Sequence, residues 1–167
     1  NDPGFSIDAA FFDADNDGDL DLYVTNRPGE FFLNLEKIKT KRPVRDIRDE
    51  DPFYRNTGNG KFERQTREAG IEDNFGFGLS VTASDLNGDG YQDLYVSNDF
   101  LESDYLYMNQ GNGTFRELSK EYLGHVPFYS MGTDIMDINN DGWEDIFTTE
   151  MLPEDYKRSK TSMASMN

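Results

Sequence analysis

One acidic, glycine-containing loop pattern occurs three times in the chain and constrains its fold more than any other feature. Each copy reads Asp-x-Asp/Asn-x-Asp-Gly-x-x-Asp followed by an apolar residue, and the copies begin at Asp13, Asp85 and Asp137. A short apolar or β-branched run follows the last Asp of each copy, and such runs favour strands. The repeated unit is therefore larger than a loop, and we predict a chain built from similar strand-containing units.

A second repeated block marks two antiparallel corners. The dipeptides Asn59-Gly60 and Asn112-Gly113 stand between aromatic-rich flanks, each three residues after another Asn. Asn-Gly favours a type I′ hairpin turn because both central residues of that turn need a positive φ. We therefore predict one tight hairpin at each block.

The spacing between loop and corner shows that the first unit is interrupted. The first Asp of the loop and the Asn before the corner are 24 residues apart in the second unit but 43 apart in the first, so the first unit holds 19 extra residues, at about 27–52. Without them the period is about 50 residues, which is typical of four-stranded propeller blades. We predict an all-β fold in which 1–167 is one segment of a β-propeller made of four-stranded antiparallel blades. Its units are 1–62, 63–115 and an incomplete 116–167.

The inserted stretch is basic in an otherwise acidic chain. Its cationic residues are Lys37, Lys39, Lys41, Arg42, Arg45 and Arg48. Long insertions in repeat proteins are usually solvated surface loops. A docking element for an acidic partner is the alternative.

The charge and composition of the chain argue against several classes of function. The net charge of −17 and the pI near 4.2 disfavour binding to nucleic acid or to anionic membrane surfaces. The absence of cysteine excludes disulfides and thiolate zinc sites. No apolar run approaches the roughly 20 residues that span a bilayer. The chain opens partway into a repeat, so we expect any targeting segment to lie upstream.

The oxygen-bearing side chains of the repeated loop predict a calcium site. Calcium takes six to eight oxygen ligands, which alternate residues of a tight loop can supply. Positions 1, 3 and 5 supply side-chain oxygens, the Gly at position 6 permits a sharp bend, position 7 offers its backbone carbonyl and position 9 returns a carboxylate. The predicted ligands are Asp13, Asp15, Asp17, Asp19 and Asp21 in the first loop, Asp85, Asn87, Asp89, Tyr91 and Asp93 in the second, and Asp137, Asn139, Asp141, Trp143 and Asp145 in the third.

Two other interpretations of the loops fit the sequence less well. An EF-hand needs a Glu at position 12 and helices on both sides, whereas position 12 here is Val24, Val96 or Thr148. Asp, Asn and Gly also form turns without any ion. Three copies with the same carboxylate positions argue against that, because clustered carboxylates repel one another without a cation. We predict about three structural Ca²⁺ ions. At equal geometry the first loop should bind tightest, because it has four Asp side-chain ligands where the other loops have three Asp and one Asn.

These motifs resemble the FG-GAP or VCBS repeats of integrin-α-type β-propellers. Within that group, segments such as "FFDADNDGDLDLYVTN" and "YSMGTDIMDINNDGWEDIFTTEMLPEDY" are similar to bacterial secreted propellers of the cartilage-acidic-protein-like group, which often carry an ASPIC/UnbV domain. The resemblance implies a ring of about seven blades, calcium at one rim, export, and a cell-surface or outer-membrane context, in some cases within a multi-subunit complex. After Pro153 the match to the repeat stops, and 157–167 is interpreted as the start of a second insertion.

The sequence favours a binding or scaffold module over an enzyme. There is one histidine, His125, in a loop-like stretch, and no nucleophile stands beside a base. The expected partner is a protein or a glycan at the cell surface. One alternative is a polysaccharide-acting enzyme, for which Tyr105, Tyr107, Tyr129 and Trp143 could stack on sugars, although blade core suits them better. The other alternative is a calcium-dependent adhesion protein. Since three blades cannot close a ring, we expect further chain or a larger assembly.

Overall fold

The computed structural model describes residues 3–27, 47–71, 74, 76–99, 102–127 and 129–151. They form two four-stranded antiparallel sheets and one two-stranded sheet. Blade 1 consists of β1 (Phe5–Phe12), β2 (Asp21–Arg27), β3 (Phe53–Asn56) and β4 (Phe62–Arg64); blade 2 of β5 (Phe77–Ser84), β6 (Asp93–Asp99), β7 (Tyr105–Asn109) and β8 (Phe115–Glu117), followed by the one-turn helix α1 (Ser119–Tyr122); and blade 3 of β9 (Ser130–Met136) and β10 (Asp145–Glu150). Within each sheet the strands follow chain order. The prediction of an all-β fold with four-stranded propeller blades is confirmed.

The blades repeat one another down to their irregularities. The first two strands of blades 1 and 2 pair with a register shift at the same place, between Ser6 and Asp8 and between Gly78 and Ser80. Each acidic loop joins the first strand of its blade to the second. Strands rather than helices therefore flank the loops, as expected from the absence of an EF-hand Glu at position 12.

The two hairpin corners differ in turn type. In blade 1, Asn59 and Gly60 have φ of 57° and 69°, and the N–H of Lys61 donates to the carbonyl of Gly58 at 3.2 Å, so the type I′ prediction is confirmed there. In blade 2 it is wrong, because Asn112 does not have a positive φ. Its side-chain oxygen instead accepts the backbone N–H of Thr114 at 3.0 Å, which closes the turn without the mirror-image geometry.

An aromatic core fills the space between blades 1 and 2. The ring of Phe115 lies edge-on to those of Phe12 and Phe53, with centroids 6.0 and 5.8 Å away. Tyr23 packs against Tyr107 at 6.2 Å. Such pairs stabilise the contact beyond the apolar area that they bury, so blade-to-blade packing depends on the phenylalanines and tyrosines in which the sequence is rich.

The four aromatic residues weighed for sugar stacking are not alike. Tyr107 and Tyr129 are 1% and 8% exposed, and Tyr105 is half-buried beside Tyr107, which places these three in or against the core. Trp143 differs, because 60% of it is exposed at the tip of the third loop. Its assignment to blade core is wrong within the part of the chain that the structure describes.

A buried carboxylate holds the end of the second strand in each complete blade. Asp104 accepts the N–H of Asn98 at 2.8 Å and the hydroxyl of Tyr95 at 2.7 Å. Asp51 accepts the equivalent groups of Asn26 and Tyr23 at 2.7 and 3.1 Å. Burial raises the pKa of the Asp104 carboxyl despite these hydrogen bonds.

Asp104 also joins blade 2 to blade 3, because the hydroxyl of Ser130 on β9 donates to it at 2.6 Å. Asp104 therefore satisfies three buried donors at once, and those donors come from two blades. No signal in the loop or corner patterns pointed to this residue or to Asp51.

Several predicted features fall outside the described residues. Five of the six basic residues of the insertion do so, and only Arg48 lies in a described turn, at 47–50; the second insertion at 157–167 is outside as well. His125 lies exposed in the loop after α1. Among the described ranges, no helix is long and apolar enough to cross a membrane.

The Asp104 network predicts a graded loss of stability. Replacing Asp104 by Ala leaves three buried donors without an acceptor, so we expect the free energy of unfolding to fall by about 2–4 kcal/mol. Tyr95→Phe removes one hydroxyl and should cost about 1 kcal/mol. Urea denaturation followed by far-ultraviolet circular dichroism measures both, and equal losses for the two variants would contradict the network's role.

Candidate metal centre

The three acidic loops follow the same backbone path. Position 6 is a glycine with a left-handed φ of 91°, 89° or 90° at Gly18, Gly90 and Gly142. Position 4 is left-handed as well, with φ of 58°, 73° and 60° at Asn16, Gly88 and Asn140. Only Gly, Asn and Asp adopt this region readily. This second bend was not predicted, although the Asn or Gly at position 4 of all three copies signals it.

The first Asp of each loop turns its carboxylate inward and accepts two backbone N–H groups. Asp13 accepts those of Asp17 and Gly18 at 3.1 and 2.9 Å. Asp85 and Asp137 accept the N–H groups of their own positions 5 and 6 at 2.8–3.0 Å. In all three loops the position 5 carboxylate accepts the N–H of position 7 at 2.9 Å. The loops are thus preformed, with the carboxylates of positions 1 and 5 on their inner side.

The first loop gathers three of its predicted ligands. Asp13, Asp15 and Asp17 each offer a carboxylate oxygen, and these oxygens lie within 4.8 Å of one another. Among the described residues this is the one group of three or more acidic, His or Cys side chains so close, because position 3 is Asn in the other loops. Within the same part of the chain, Oδ1 of Asp15 is buried and has no hydrogen-bond partner. An oxygen-only donor set with an unsatisfied buried oxygen fits a hard cation such as Ca²⁺.

The last predicted ligand of each loop is held by backbone N–H groups. The carboxylates of Asp21, Asp93 and Asp145 accept the N–H of position 2 of their own loops at 3.1, 3.0 and 3.1 Å. The other oxygen of Asp21 accepts the N–H of Asn56, and that of Asp93 the N–H of Asn109, each at 2.8 Å. In blades 1 and 2, position 9 therefore ties the loop to the third strand, a role that no sequence pattern indicated.

Burial changes the acidity of these position 9 carboxyls. Asp21 is 1% exposed and Asp93 is fully buried. Burial raises the pKa of Asp93 to about 6, and the N–H groups of Asn109 and Leu86 oppose that rise. Burial likewise raises the pKa of Asp21, against the hydrogen bond from Asn56 and the positive charge of Arg55. A nearby cation would favour the ionised form of both groups.

Arg55 is a functional candidate that the sequence analysis missed. Its Nη1 lies 2.7 Å from Oδ2 of Asp15 and 3.1 Å from Oδ2 of Asp21, so it contacts two of the five predicted ligands of the first loop. Its Nη2 donates to the carbonyl of Gly113 in blade 2 at 2.6 Å. Its Cζ stands 5.1 Å from the ring centroid of Phe53, a cation–π distance. The available signal was a basic residue directly before the Asn of the first corner block.

Neighbouring loops touch along one rim. The side-chain amide of Asn16 donates to the carbonyl of Gly90 at 3.0 Å, and the N–H of Asp13 donates to Gln92 at 3.2 Å. The ring of Trp143 lies so close to Gly88 that a Cβ added there would stand 3.1 Å from the indole. The three loops therefore form a continuous acidic rim.

The position 6 glycines predict a specific effect of alanine. Gly90 has a φ of 89° and open space where a Cβ would stand, so Gly90→Ala adds backbone strain but no clash. We expect the free energy of unfolding to fall by about 1–2 kcal/mol. Gly124 also has open space but no positive φ, which makes Gly124→Ala the matched control, expected within about 0.5 kcal/mol of the parent. Chemical denaturation of both variants checks this, and an equal effect would contradict it.

Comparisons with known proteins agree with this geometry. The model of the FG-GAP-like repeat matches residues 44–96 and 85–148, which together make up more than half of the chain and include the second and third acidic loops. Integrin alpha-4 of Xenopus laevis is 38% identical over 80 residues, which are 42% of this chain and 8% of the integrin. The chain thus spans a small part of the length of that relative. With its repeated four-stranded blades and acidic loops, the chain belongs to the FG-GAP-like repeat family.

Proposed function

We propose that this chain is a calcium-stabilised, non-enzymatic binding module whose three acidic loops each hold one structural Ca²⁺. The observation that carries the proposal is the group formed by Asp13, Asp15 and Asp17, in which a buried carboxylate oxygen has no hydrogen-bond partner among the described residues. Three carboxylates at such distances repel one another, although Asp17 is exposed and the other two are half-buried. A bound divalent cation supplies the positive charge that offsets this repulsion.

The second and third loops support the same function with one carboxylate fewer. Both share the backbone path and the N–H pattern of the first loop. An Asn at position 3 also offers an oxygen, and Ca²⁺ accepts amide oxygens as ligands. The residues that would hold the ions are those at positions 1, 3, 5, 7 and 9 of each loop.

The proposed ions explain how the loops could stabilise the fold. Each loop connects the first and second strands of its blade, and position 9 is hydrogen-bonded to the third strand in blades 1 and 2. Fixing the loop therefore restrains three strands at their rim ends. Because an ion that binds only the folded state stabilises it, metal binding and folding are coupled.

We further propose that the module acts outside the cytoplasm, at a cell surface, with a protein or glycan partner. The similarity to an integrin alpha subunit supports this location and class of partner. Weak calcium sites suit extracellular calcium concentrations, which are in the millimolar range. We propose in addition that the chain is one subunit of a larger outer-membrane assembly.

The alternative of a sugar-processing enzyme receives less support from the described side chains. Three of the four aromatic residues considered for sugar stacking lie in or against the blade core, and only Trp143 is widely exposed. A stacking platform needs exposed ring faces, which Tyr107 and Tyr129 do not offer. The adhesion alternative is compatible with the binding module and specifies one kind of partner.

The proposal predicts calcium-dependent thermal stability. We expect removal of calcium with a chelator to lower the melting temperature by about 5–10 °C, since a ligand at 100 times its Kd contributes about 2.7 kcal/mol. Asp17→Ala, Asp89→Ala and Asp141→Ala should each reproduce part of that loss. Glu68→Ala removes one exposed carboxylate outside the loops and serves as the charge control. Scanning calorimetry with calcium, with magnesium and with chelator tests this, and a melting temperature indifferent to chelation would refute the calcium proposal.

A further inference from the structure

Arg55 stands where the second blade has no charge. The corner blocks align so that Arg55 of β3 corresponds to Met108 of β7, each directly before the Asn that binds position 9. Arg55 forms ion pairs with two Asp side chains of the first loop. Met108 is buried and lines an open cleft of about 400 Å³ beside the second loop. Arg116 also lines this cleft, but among the described residues it forms no ion pair with the second loop. The two loops therefore share a backbone path and differ in that a cation is ion-paired to the carboxylates of the first.

The difference is matched at position 3 of the loops. Position 3 is Asp15 in the first loop and Asn87 in the second. The amide nitrogen of Asn87 donates to Asp89 at 2.9 Å, so the second loop supplies a donor from within itself. Asp15 cannot donate when ionised, and the guanidinium of Arg55 supplies the donor instead. Counting Arg55, the side chains at positions 1, 3, 5 and 9 of both loops carry the same net charge.

The guanidinium of Arg55 is held in place by several contacts. It lies against the ring of Phe53 and donates to the carbonyl of Gly113, and the whole Arg55 side chain is 12% exposed. A Cβ on Gly113 would clash with the guanidinium, so a side chain at this position of blade 2 would displace Arg55 from its place. A fixed, shielded cation interacts with its neighbours more strongly than a mobile surface charge does.

We propose that Arg55 is a built-in cation that substitutes for part of the charge of a calcium ion in the first loop. This inference rests on the proposed calcium sites. Its first consequence is that the first loop binds calcium more weakly than its four Asp side chains imply. Its second consequence is that this loop and its contact with blade 2 keep their shape without calcium, because Arg55 joins Asp15, Asp21 and Gly113 in the absence of any ion.

The opposite role for Arg55 is to strengthen calcium binding, and the two roles predict opposite effects of removing it. A residue that hydrogen-bonds a metal ligand can orient it and strengthen metal binding, and its loss then weakens affinity roughly 10–100-fold. If Arg55 acted in that way, removing it would weaken calcium binding at the first loop. If Arg55 substitutes for the ion, removing it strengthens binding, because a fixed positive charge beside the site is lost.

The experiment compares the three loops within one molecule. The backbone N–H groups of Gly18, Gly90 and Gly142 each donate to the first Asp of their own loop, so their nuclear magnetic resonance signals report each loop separately during a calcium titration. The midpoint of a signal is the calcium concentration at which half of its change has occurred. In Arg55→Met, which installs the residue of the second blade, we expect the Gly18 midpoint to fall roughly tenfold or more, which means tighter binding. The midpoints at Gly90 and Gly142 should stay within about twofold of the parent.

Two further variants isolate the cause. Arg64→Met removes the same charge from an ion pair with Glu50 on the same blade, away from the loops, and should leave the Gly18 midpoint within about twofold of the parent. The double variant Asp15→Asn with Arg55→Met reproduces the second loop at these two positions, and its Gly18 midpoint should approach that of Gly90. This variant also keeps the test open if the single change proves too unstable to titrate.

Stability provides the second readout. In chelator, Arg55→Met should melt at a lower temperature than Arg64→Met, and its gain in melting temperature on adding calcium should be larger than that of the parent. A Gly18 midpoint that is unchanged or raised in Arg55→Met would overturn the role of Arg55. If none of the three glycine signals responds to calcium in the parent, the proposed function itself fails, so the two failures are distinguishable.

Discussion

The position of the acidic loop in each complete blade depends on a buried carboxylate, that of the last Asp of the loop. Asp21 and Asp93 each spend one oxygen on the second residue of their loop and the other on the Asn that ends the third strand. A buried carboxylate without partners costs several kcal/mol, so these N–H groups must stay in place. The loop is therefore fixed to the sheet before any ion is considered, and this contact sets where the remaining carboxylates stand.

At the acidic rim, the hydrogen bonds that fix the loops act against the repulsion between their carboxylates. In the first loop, backbone N–H groups hold the carboxylates of positions 1 and 5, while the charges of the three clustered Asp side chains oppose that arrangement. In the first loop, Arg55 offsets part of this repulsion. Its guanidinium extends from the third strand, pairs with Asp15 at the rim and donates to the carbonyl of Gly113 in blade 2. Charge at the rim and packing between blades are thus coupled through one side chain in blade 1.

The repeated patterns predicted the blades and the loops because both follow from local chemistry. Strand-forming runs, a Gly at position 6 and Asn-Gly at the corner act within a few residues. The structure contains the strands, the left-handed glycines and both corners, although only the corner at Asn59 has the predicted turn type. The partners of Arg55 and Asp104 could not be predicted in this way, since each joins residues of different blades and depends on how sheets pack. The turn type at Asn112 was not predicted because it depends on a side chain. The N–H of Thr114 donates to the side chain of Asn112, whereas in blade 1 the N–H of Lys61 donates to the backbone carbonyl of Gly58.

The position of Trp143 determines what a spectroscopist would see. It is the single tryptophan of the chain, it stands at the tip of the third loop, and its ring lies against Gly88 of the second. Tryptophan fluorescence, excited where tyrosine does not absorb, therefore arises from the acidic rim and carries little information about the aromatic core. Emission would follow the opening of two neighbouring loops, and an unfolding curve recorded in this way would describe the rim while circular dichroism described the sheets.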